Sequence, residues 1–185
     1  MERSIVIAGS GGQGVIFTGE VLASAAMNKG LNVTLFPSYG VEKIGGTSRC
    51  TVIISDDMIG SPVTDKIDIL VAMNNWGYES FYNRLHPNGL LIFDSSIVKE
   101  YTQIHGVTLV PVMASDIAIQ ANSKLGSNMV LLGVLGSVSG LFTRDEICKS
   151  LTQVTPLHRK DSIKLNKQLI KEGYRLYEDK KGKNK

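Results

Sequence analysis

The stretch SIVIAGSGGQG, residues 4–14, contains the features that decide the fold of this 185-residue chain. Residues 4–8 form a short apolar run rich in β-branched side chains, which is typical of a buried parallel strand. A glycine-rich turn follows, and apolar side chains then recur at helical spacing from residue 15 until Gly30 ends the pattern. Residues 32–36 predict a second strand, so the segment predicts a strand, glycine loop, helix and strand with a parallel strand pair.

The rest of the chain alternates between strand and helix patterns in the same way. We expect further strands over residues 49–55, 67–72, 90–93 and 107–112, a short return strand over 58–59, and helices over 75–85, 114–123, 129–139, 144–151 and 161–177. Pro37 is expected to end the second strand, and Pro87 to stop the helix before it. This order predicts an α/β fold of three layers, with a mostly parallel, Rossmann-like sheet, helices on both faces and a helical C-terminal segment. We expect one domain over residues 1–180 and a basic tail over residues 181–185.

The overall composition is that of an ordinary soluble globular protein. Hydrophobic residues make up 43% and charged residues 20%, and much of the net charge of +3 comes from lysines at the C-terminal end. The composition therefore favours neither nucleic acid nor a membrane as a partner. The apolar stretch over residues 129–141 is too short to span a bilayer and predicts a buried helix.

Cys50 and Cys148 are the two cysteines of the sequence, and they lie far apart with no C-x-x-C spacing. Iron–sulfur clusters and structural zinc sites need about four ligands. We therefore expect no metal or cluster bound by this chain alone. We expect both cysteines to be small buried apolar groups in a reducing compartment, and therefore a cytoplasmic protein.

The first glycine loop has the spacing of a phosphate-binding turn. Gly9, Gly11 and Gly14 match G-x-G-x-x-G between a strand and a helix, where backbone N–H groups and the helix dipole favour an anion. A dinucleotide site would also need a carboxylate at the end of the second strand, and residues 35–38 are Leu-Phe-Pro-Ser. Two interpretations stay open: glycines that only permit close packing, or a site for another phosphate-bearing ligand. Gln13 could contact a ligand, a partner's backbone or its own loop.

A second glycine-rich loop, SYGVEKIGGTS at residues 38–48, follows the second strand. In a parallel sheet it should lie at the same carboxyl edge as the first loop, so the two loops would form a binding or docking surface. Tyr39 would supply an aromatic ring and Glu42 a charge. The alternative is a loop that needs glycine for its turns, with Tyr39 packed over the core.

Several motifs in order along the chain together resemble one family. The motifs are GSGGQG at 9–14, SYGVEKIGGTS at 38–48, ISD at 54–56, IGSP at 59–62, DILVAM at 68–73, GLLIFDS at 89–95, NMVLLG at 128–133, and Asn166 with Gly173-Tyr174. Over nearly the whole chain they resemble the gamma subunit of 2-oxoacid:ferredoxin oxidoreductases.

The resemblance implies membership of a complex that oxidatively decarboxylates a 2-oxoacid to an acyl-coenzyme A and passes electrons to ferredoxin. It implies that thiamine diphosphate and iron–sulfur clusters are held by the alpha, beta and ferredoxin-like delta subunits. This chain would supply a structural module close to coenzyme A, without a catalytic residue, and would be inactive when isolated. The alternative is a free-standing regulatory module that binds a nucleotide or another phosphate ligand.

The resemblance and the two loops together predict the contact residues. They are Gly9, Gly11, Gly12, Gln13, Gly14, Tyr39, Gly40, Glu42, Gly45, Gly46, Thr47 and Asn128. Asn128 could instead be a helix N-cap. One departure concerns Ile44, because the family usually has arginine before the Gly-Gly pair and isoleucine cannot bind a phosphate bidentately. The identity of the 2-oxoacid, pyruvate, 2-oxoglutarate or another, and homodimer formation by the isolated chain stay open.

Overall fold

The computed structural model describes the backbone of residues 1–40 and 45–181 and the side chains up to residue 178. Within these residues the strands are β1 (Glu2–Ser10), β2 (Asn32–Tyr39), β3 (Thr47–Ser55), β4 (Ile67–Ala72), β5 (Leu85–Asp94) and β6 (Thr108–Val112). The helices are α1 (Val15–Asn28), α2 (Asn75–Phe81), α3 (Ala114–Gln120), α4 (Ser127–Ser139), α5 (Arg144–Val154) and α6 (Ser162–Lys181), with 3₁₀ turns at Tyr82–Arg84 and Leu157–Arg159.

The six strands form one mixed sheet in the order β2-β3-β1-β4-β5-β6. Strands β1, β4, β5 and β6 pair in parallel, whereas β3 pairs antiparallel with both β1 and β2. The α/β fold with a mostly parallel sheet is confirmed, but the predicted β1–β2 pair is wrong. The two strands run in the same direction with β3 between them, because the short connection after β2 allows only an antiparallel return.

Helices cover both faces of the sheet, as predicted. On one face α1 and α4 pack directly against the strands, and α5 and α6 pack against those two helices. Side chains alternate along β1, so Ile5 and Ile7 enter this larger core while Val6 and Ala8 enter a smaller core under α2. The first glycine loop follows β1 and the second follows β2, so both loops lie at the edge of the sheet where these two strands end.

Three predicted boundaries are wrong. Pro37 lies inside β2, where it pairs with Cys50, because β2 is an edge strand and can accept a residue that lacks an N–H. Helix α2, predicted over residues 75–85, ends at Phe81 and is followed by the 3₁₀ turn Tyr82–Arg84. Strand β5 then begins at Leu85, and Asn88 takes a φ of 68° within an irregular register.

Two further differences lie in an exposed loop and at the C-terminal end. The return strand expected over residues 58–59 is an irregular loop with Met58 exposed. The C-terminal helix α6 runs to Lys181, and the rest of the basic tail, residues 182–185, lies outside the described residues. In the described part of the chain, no helix has the length and apolar character needed to cross a membrane.

Candidate functional site

The two glycine loops meet at the carboxyl edge of the sheet. Gly9 at the end of β1 and Tyr39 at the end of β2 both pair with Ser48, on opposite sides of β3. The backbone N–H of Gly11 donates a hydrogen bond to the carbonyl of Gly46 at 2.8 Å, which joins the loops directly. The predicted shared edge is therefore confirmed.

Two features explain why the first loop needs glycine before α1. Gly12 and Gly14 adopt φ values of 95° and 77°, in the left-handed region that favours glycine. At Gly14 a side chain would also overlap the Asn128 amide. Asn128 is 5% exposed, and its Nδ2 donates to the Gly14 carbonyl at 3.4 Å and to Thr18 Oγ1 at 3.3 Å.

Asn128 therefore ties two helix starts together and does not cap its own helix. The N-cap position of α4 is Gly126, so the predicted alternative of an Asn128 N-cap is wrong. The side chain instead reaches from the first turn of α4 to the first turn of α1.

Gln13 bonds within its own loop, which is the third of the roles considered for it. Its Oε1 accepts from the Ser10 N–H at 2.7 Å and from Asn74 Nδ2 at 3.1 Å. Its Nε2 donates to the Met73 carbonyl at 3.3 Å. These bonds engage both ends of the side-chain amide, so Gln13 supports the loop and does not line the groove described below.

Tyr39 projects from the second loop into solvent, with 67% of its surface exposed. The interpretation that it packs over the core is therefore wrong. Gly40 approaches Thr47 so closely that a Cβ would lie 2.9 Å from Thr47 Oγ1, and Gly45 takes a φ of 78°. Glu42 and Ile44 lie outside the described residues.

A groove of about 910 Å³ opens between the glycine loops and the starts of several helices. Its volume falls in the range of small-molecule sites, about 300–1,000 Å³. Five of the predicted contact residues line it, namely Gly11, Gly12, Gly14, Tyr39 and Asn128. Among the described residues, Gly9, Gln13, Gly40, Gly45, Gly46 and Thr47 belong to the loops but are not part of the lining.

Three helices begin at this groove, since residues of the first turns of α1, α4 and α6 line it. The first N–H groups of a helix have no partner within the helix, and the dipole makes this end positive. Several such ends at one cavity favour an anionic ligand.

Sequence reasoning missed His158 and Arg159, which also line the groove. They belong to the 3₁₀ turn Leu157–Arg159 before α6, and Asp161 adds one carboxylate to the same wall. No local signal marks these residues, because 143 residues lie between Gly14 and His158, and 109 residues lie between the end of the second glycine loop at residue 48 and His158.

The described residues do not fit an iron–sulfur cluster or another bound metal. Within them, no group of three or more His, Cys, Asp or Glu side chains could hold a metal ion. Burial, with a smaller contribution from Glu20, raises the pKa of the Cys50 thiol to about 12. A cluster ligand must be a thiolate, so this thiol is poorly suited to the role.

The chain matches the family model for pyruvate ferredoxin/flavodoxin oxidoreductase over residues 4–176. It is 33% identical over 187 residues to the 2-oxoglutarate synthase subunit KorC of Methanothermobacter marburgensis, covering 94% of this chain and 99% of that one. It is 32% identical over 172 residues to the ketoisovalerate oxidoreductase subunit VorA of Methanothermobacter thermautotrophicus. That match covers 93% of this chain but 36% of the relative, so the chain spans about a third of that protein.

A solved structure has the same fold. The 2-oxoglutarate:ferredoxin oxidoreductase from Magnetococcus marinus, with 2-oxoglutarate, coenzyme A and succinyl-CoA bound, superposes with a TM-score of 0.87 at 24% identity. The match covers 96% of this chain and 31% of that one.

Proposed function

The chain belongs to the pyruvate ferredoxin/flavodoxin oxidoreductase family, and from this membership we propose that it is the gamma-type subunit of a 2-oxoacid:ferredoxin oxidoreductase. The complete enzyme would oxidatively decarboxylate a 2-oxoacid, transfer the acyl group to coenzyme A and pass the electrons to ferredoxin. This chain would contribute one wall of the coenzyme A site and no redox centre. Its similarity to KorC, a 2-oxoglutarate synthase subunit, supports this role.

The main structural support for the proposal is the groove between the glycine loops and the helix starts. Its lining combines side-chain-free backbone at Gly11 and Gly12, the first turn of α1 and the cationic Arg159. Phosphate groups bind well to backbone N–H groups at helix starts and to arginine forks. Coenzyme A carries a pyrophosphate and a ribose phosphate, so its charged end fits this chemistry. The Magnetococcus enzyme, which shares the fold, has coenzyme A bound.

Each part of the site would have its own role toward coenzyme A. The glycine loop would bring backbone N–H groups within reach of a phosphate, because no Cβ keeps the ligand away. Tyr39, whose ring is 67% exposed, would stack on the ligand or on a partner chain. Asn128 would keep the helix starts in place, and the second-loop residues Gly40, Gly45, Gly46 and Thr47 would lie at the interface with neighbouring subunits.

The alpha, beta and ferredoxin-like delta subunits would be the partners of this chain in the complex. They would hold the thiamine diphosphate, which stabilises the carbanion formed on decarboxylation, and the iron–sulfur clusters, which carry the electrons. We also propose a cytoplasmic location, where thiols stay reduced, since both cysteines are unpaired.

The proposal is tested first by assembly. The tagged chain should recover thiamine-diphosphate-binding and cluster-binding chains from native extract, and the recovered complex should reduce ferredoxin only with a 2-oxoacid and coenzyme A together. Recovery of no such chains, with binding of a free nucleotide instead, would favour the free-standing regulatory module.

The coenzyme A contact is tested by Arg159→Met in the assembled complex. Loss of a charge-assisted phosphate contact should raise the KM for coenzyme A by about 5- to 30-fold and leave the KM for the 2-oxoacid unchanged. Lys160→Met is the matched control, because Lys160 is adjacent and exposed but does not line the groove. Equal effects of the two substitutions would contradict a specific contact.

A further inference from the structure

A pair of side-chain amides, Gln13 and Asn74, forms a clamp behind the first glycine loop. Asn74 is the N-cap of α2, and its Oδ1 accepts from the Gly77 N–H at 2.8 Å. Its Nδ2 donates in the other direction, to Ser10 Oγ at 2.8 Å and to Gln13 Oε1 at 3.1 Å. One amide therefore serves both the start of α2 and the glycine loop.

The Gln13 amide completes the connection between two strand ends. Besides Asn74, its Oε1 accepts from the Ser10 N–H at 2.7 Å, and its Nε2 donates to the Met73 carbonyl at 3.3 Å. The Met73 N–H in turn donates to the Ala8 carbonyl at 2.8 Å. The residues that follow β1 and β4 are thus joined through side-chain amides as well as through the sheet.

The clamp residues lie behind the surface that would contact a ligand. Gly11, Gly12 and Gly14 line the groove, whereas Gln13 and Asn74 are not part of its lining. A run of glycines has little conformational preference of its own and loses more entropy on ordering than any other residue type. The conformation that the loop presents to the groove therefore depends on groups outside the loop backbone.

We propose that Asn74 is a positioning residue, which acts through Gln13 to hold the first glycine loop in its ligand-binding conformation. The inference rests on the proposed function, because it assumes that the groove takes the phosphate-bearing end of coenzyme A. Asn74 touches no ligand in this role. It sets how well the backbone N–H groups of the loop are preorganised, and preorganisation determines affinity.

The substitution Asn74→Asp separates the two jobs of this side chain. Aspartate is as good an N-cap as asparagine, so the bond from the Gly77 N–H and the start of α2 are retained. The Nδ2 donor is replaced by an oxygen that repels Gln13 Oε1, and the clamp is broken. Asn75→Asp is the matched control, since it makes the same chemical change one residue later, at an exposed position.

The first readout is steady-state kinetics of the assembled complex. We expect Asn74→Asp to raise the KM for coenzyme A by about 5- to 10-fold, the size expected for one lost hydrogen bond. The KM for the 2-oxoacid, and kcat at saturating coenzyme A, should stay within about twofold of the wild type. A general loss of structure would instead lower kcat and raise both KM values.

The second readout is amide hydrogen exchange of the full chain by itself. The Ser10 N–H, which donates to Gln13 Oε1, should exchange at least about 10-fold faster in Asn74→Asp, while the Gly77 N–H keeps its protection. Asn75→Asp should behave as the wild type in both measurements. Ser10 exchange does not depend on the enzyme activity, so it decides the positioning claim even if the wild-type complex proves inactive and the proposed function fails.

Three results would overturn the inference. Unchanged Ser10 exchange in Asn74→Asp would show that the clamp does not hold the loop. Faster exchange with an unchanged KM in an active complex would show that loop order does not govern affinity. Equal shifts in Asn74→Asp and Asn75→Asp would assign the effect to the added negative charge.

Discussion

At the scale of single residues, the site depends on positions where a side chain is absent or fully engaged. Gly14 has both a left-handed backbone and no room for a Cβ beside Asn128. Gln13, by contrast, engages both ends of its amide in its own loop and its neighbours. A ligand contact predicted from residue type is therefore reassigned to support of the loop once its hydrogen-bond partners are known.

Replacement of Gly14 by alanine should destabilise the protein by about 2–4 kcal/mol. About 1 kcal/mol comes from the left-handed backbone, and the remainder comes from overlap with the Asn128 amide. The free energy of unfolding in urea measures the effect. Gly12→Ala is the control, because Gly12 has a φ of 95° but no atom within 4 Å of a Cβ. Equal losses from the two substitutions would show that the Asn128 contact carries no energy.

At the scale of elements, the close crossing of α4 and α6 brings the start of α6 to the groove. Gly133 on α4 and Gly173 on α6 lie against each other, and a Cβ on either would overlap a carbonyl group of the opposite helix. Tyr174 OH also donates to the Phe142 carbonyl. The backbones can approach this closely only without side chains at the crossing.

The substitution Gly133→Ala should cost about 2–3 kcal/mol in the free energy of unfolding, because the added Cβ would push α6 away. Alanine is the better helix former by about 1 kcal/mol, so a purely local view predicts the opposite sign. Thermal or urea unfolding shows whether Gly133→Ala lowers or raises the free energy of unfolding. Gly60→Ala, at an exposed loop position with open space, should change stability by less than about 0.5 kcal/mol.

The start of α5 should contribute a pH-dependent stabilisation. The hydrogen bond from the Thr143 N–H, followed by the Thr143 hydroxyl and Lys29, holds the pKa of Glu146 below its ordinary value. A lowered folded-state pKa means that the stabilisation is present above the unfolded-state pKa and is lost as pH falls through the folded one. The free energy of unfolding of the wild type should therefore exceed that of Glu146→Gln by about 0.3–1 kcal/mol near pH 7. This difference should vanish in acid.

Urea unfolding of both proteins between neutral and acidic pH measures this difference. Asp145→Asn is the control for the change in net charge, since Asp145 lies in the same helical turn with an exposed side chain. A difference between wild type and Glu146→Gln that persisted below pH 3 would contradict the capping argument.

At the scale of the whole molecule, the fold brings residues that are distant in sequence together at one edge of the sheet. The glycine loops come from the first 48 residues, whereas Arg159 and the start of α6 come from the C-terminal quarter. The groove is open to solvent beside the exposed side chains of Tyr39 and Leu125. Such a surface suits a ligand that a second polypeptide covers.

The purified chain should be colourless, contain no iron and lack 2-oxoacid oxidation until the partner subunits are added. The physical reason is its ligand set, in which one of the two cysteines has a pKa of about 12. Metal analysis and an assay with added alpha, beta and delta subunits measure this. Stoichiometric iron in the isolated chain, or activity with NAD alone, would contradict it.

Much of the fold was predictable because its signals are local. The β-branched run at residues 4–8, the glycine spacing and the apolar periodicity of α4 each act over a few residues, so the strand–helix alternation and the shared edge of the two loops followed from the sequence. The ordered motifs likewise predicted the family. The lack of a carboxylate over residues 35–38, at the end of the second strand, argued against a dinucleotide site without any coordinates.

Tertiary structure alone decided which residues meet. Three examples are the insertion of β3 between β1 and β2, the clamp formed by Gln13 and Asn74, and the position of Arg159 in the groove beside the first loop. Each involves residues from different parts of the chain, and no hydrophobic periodicity in the sequence indicates that they meet. Pairing partners and burial are set by packing free energy summed over the whole core, whereas propensity and spacing describe only neighbours along the chain. The sequence by itself therefore determined the kind of protein, and the folded chain determined the composition of its groove.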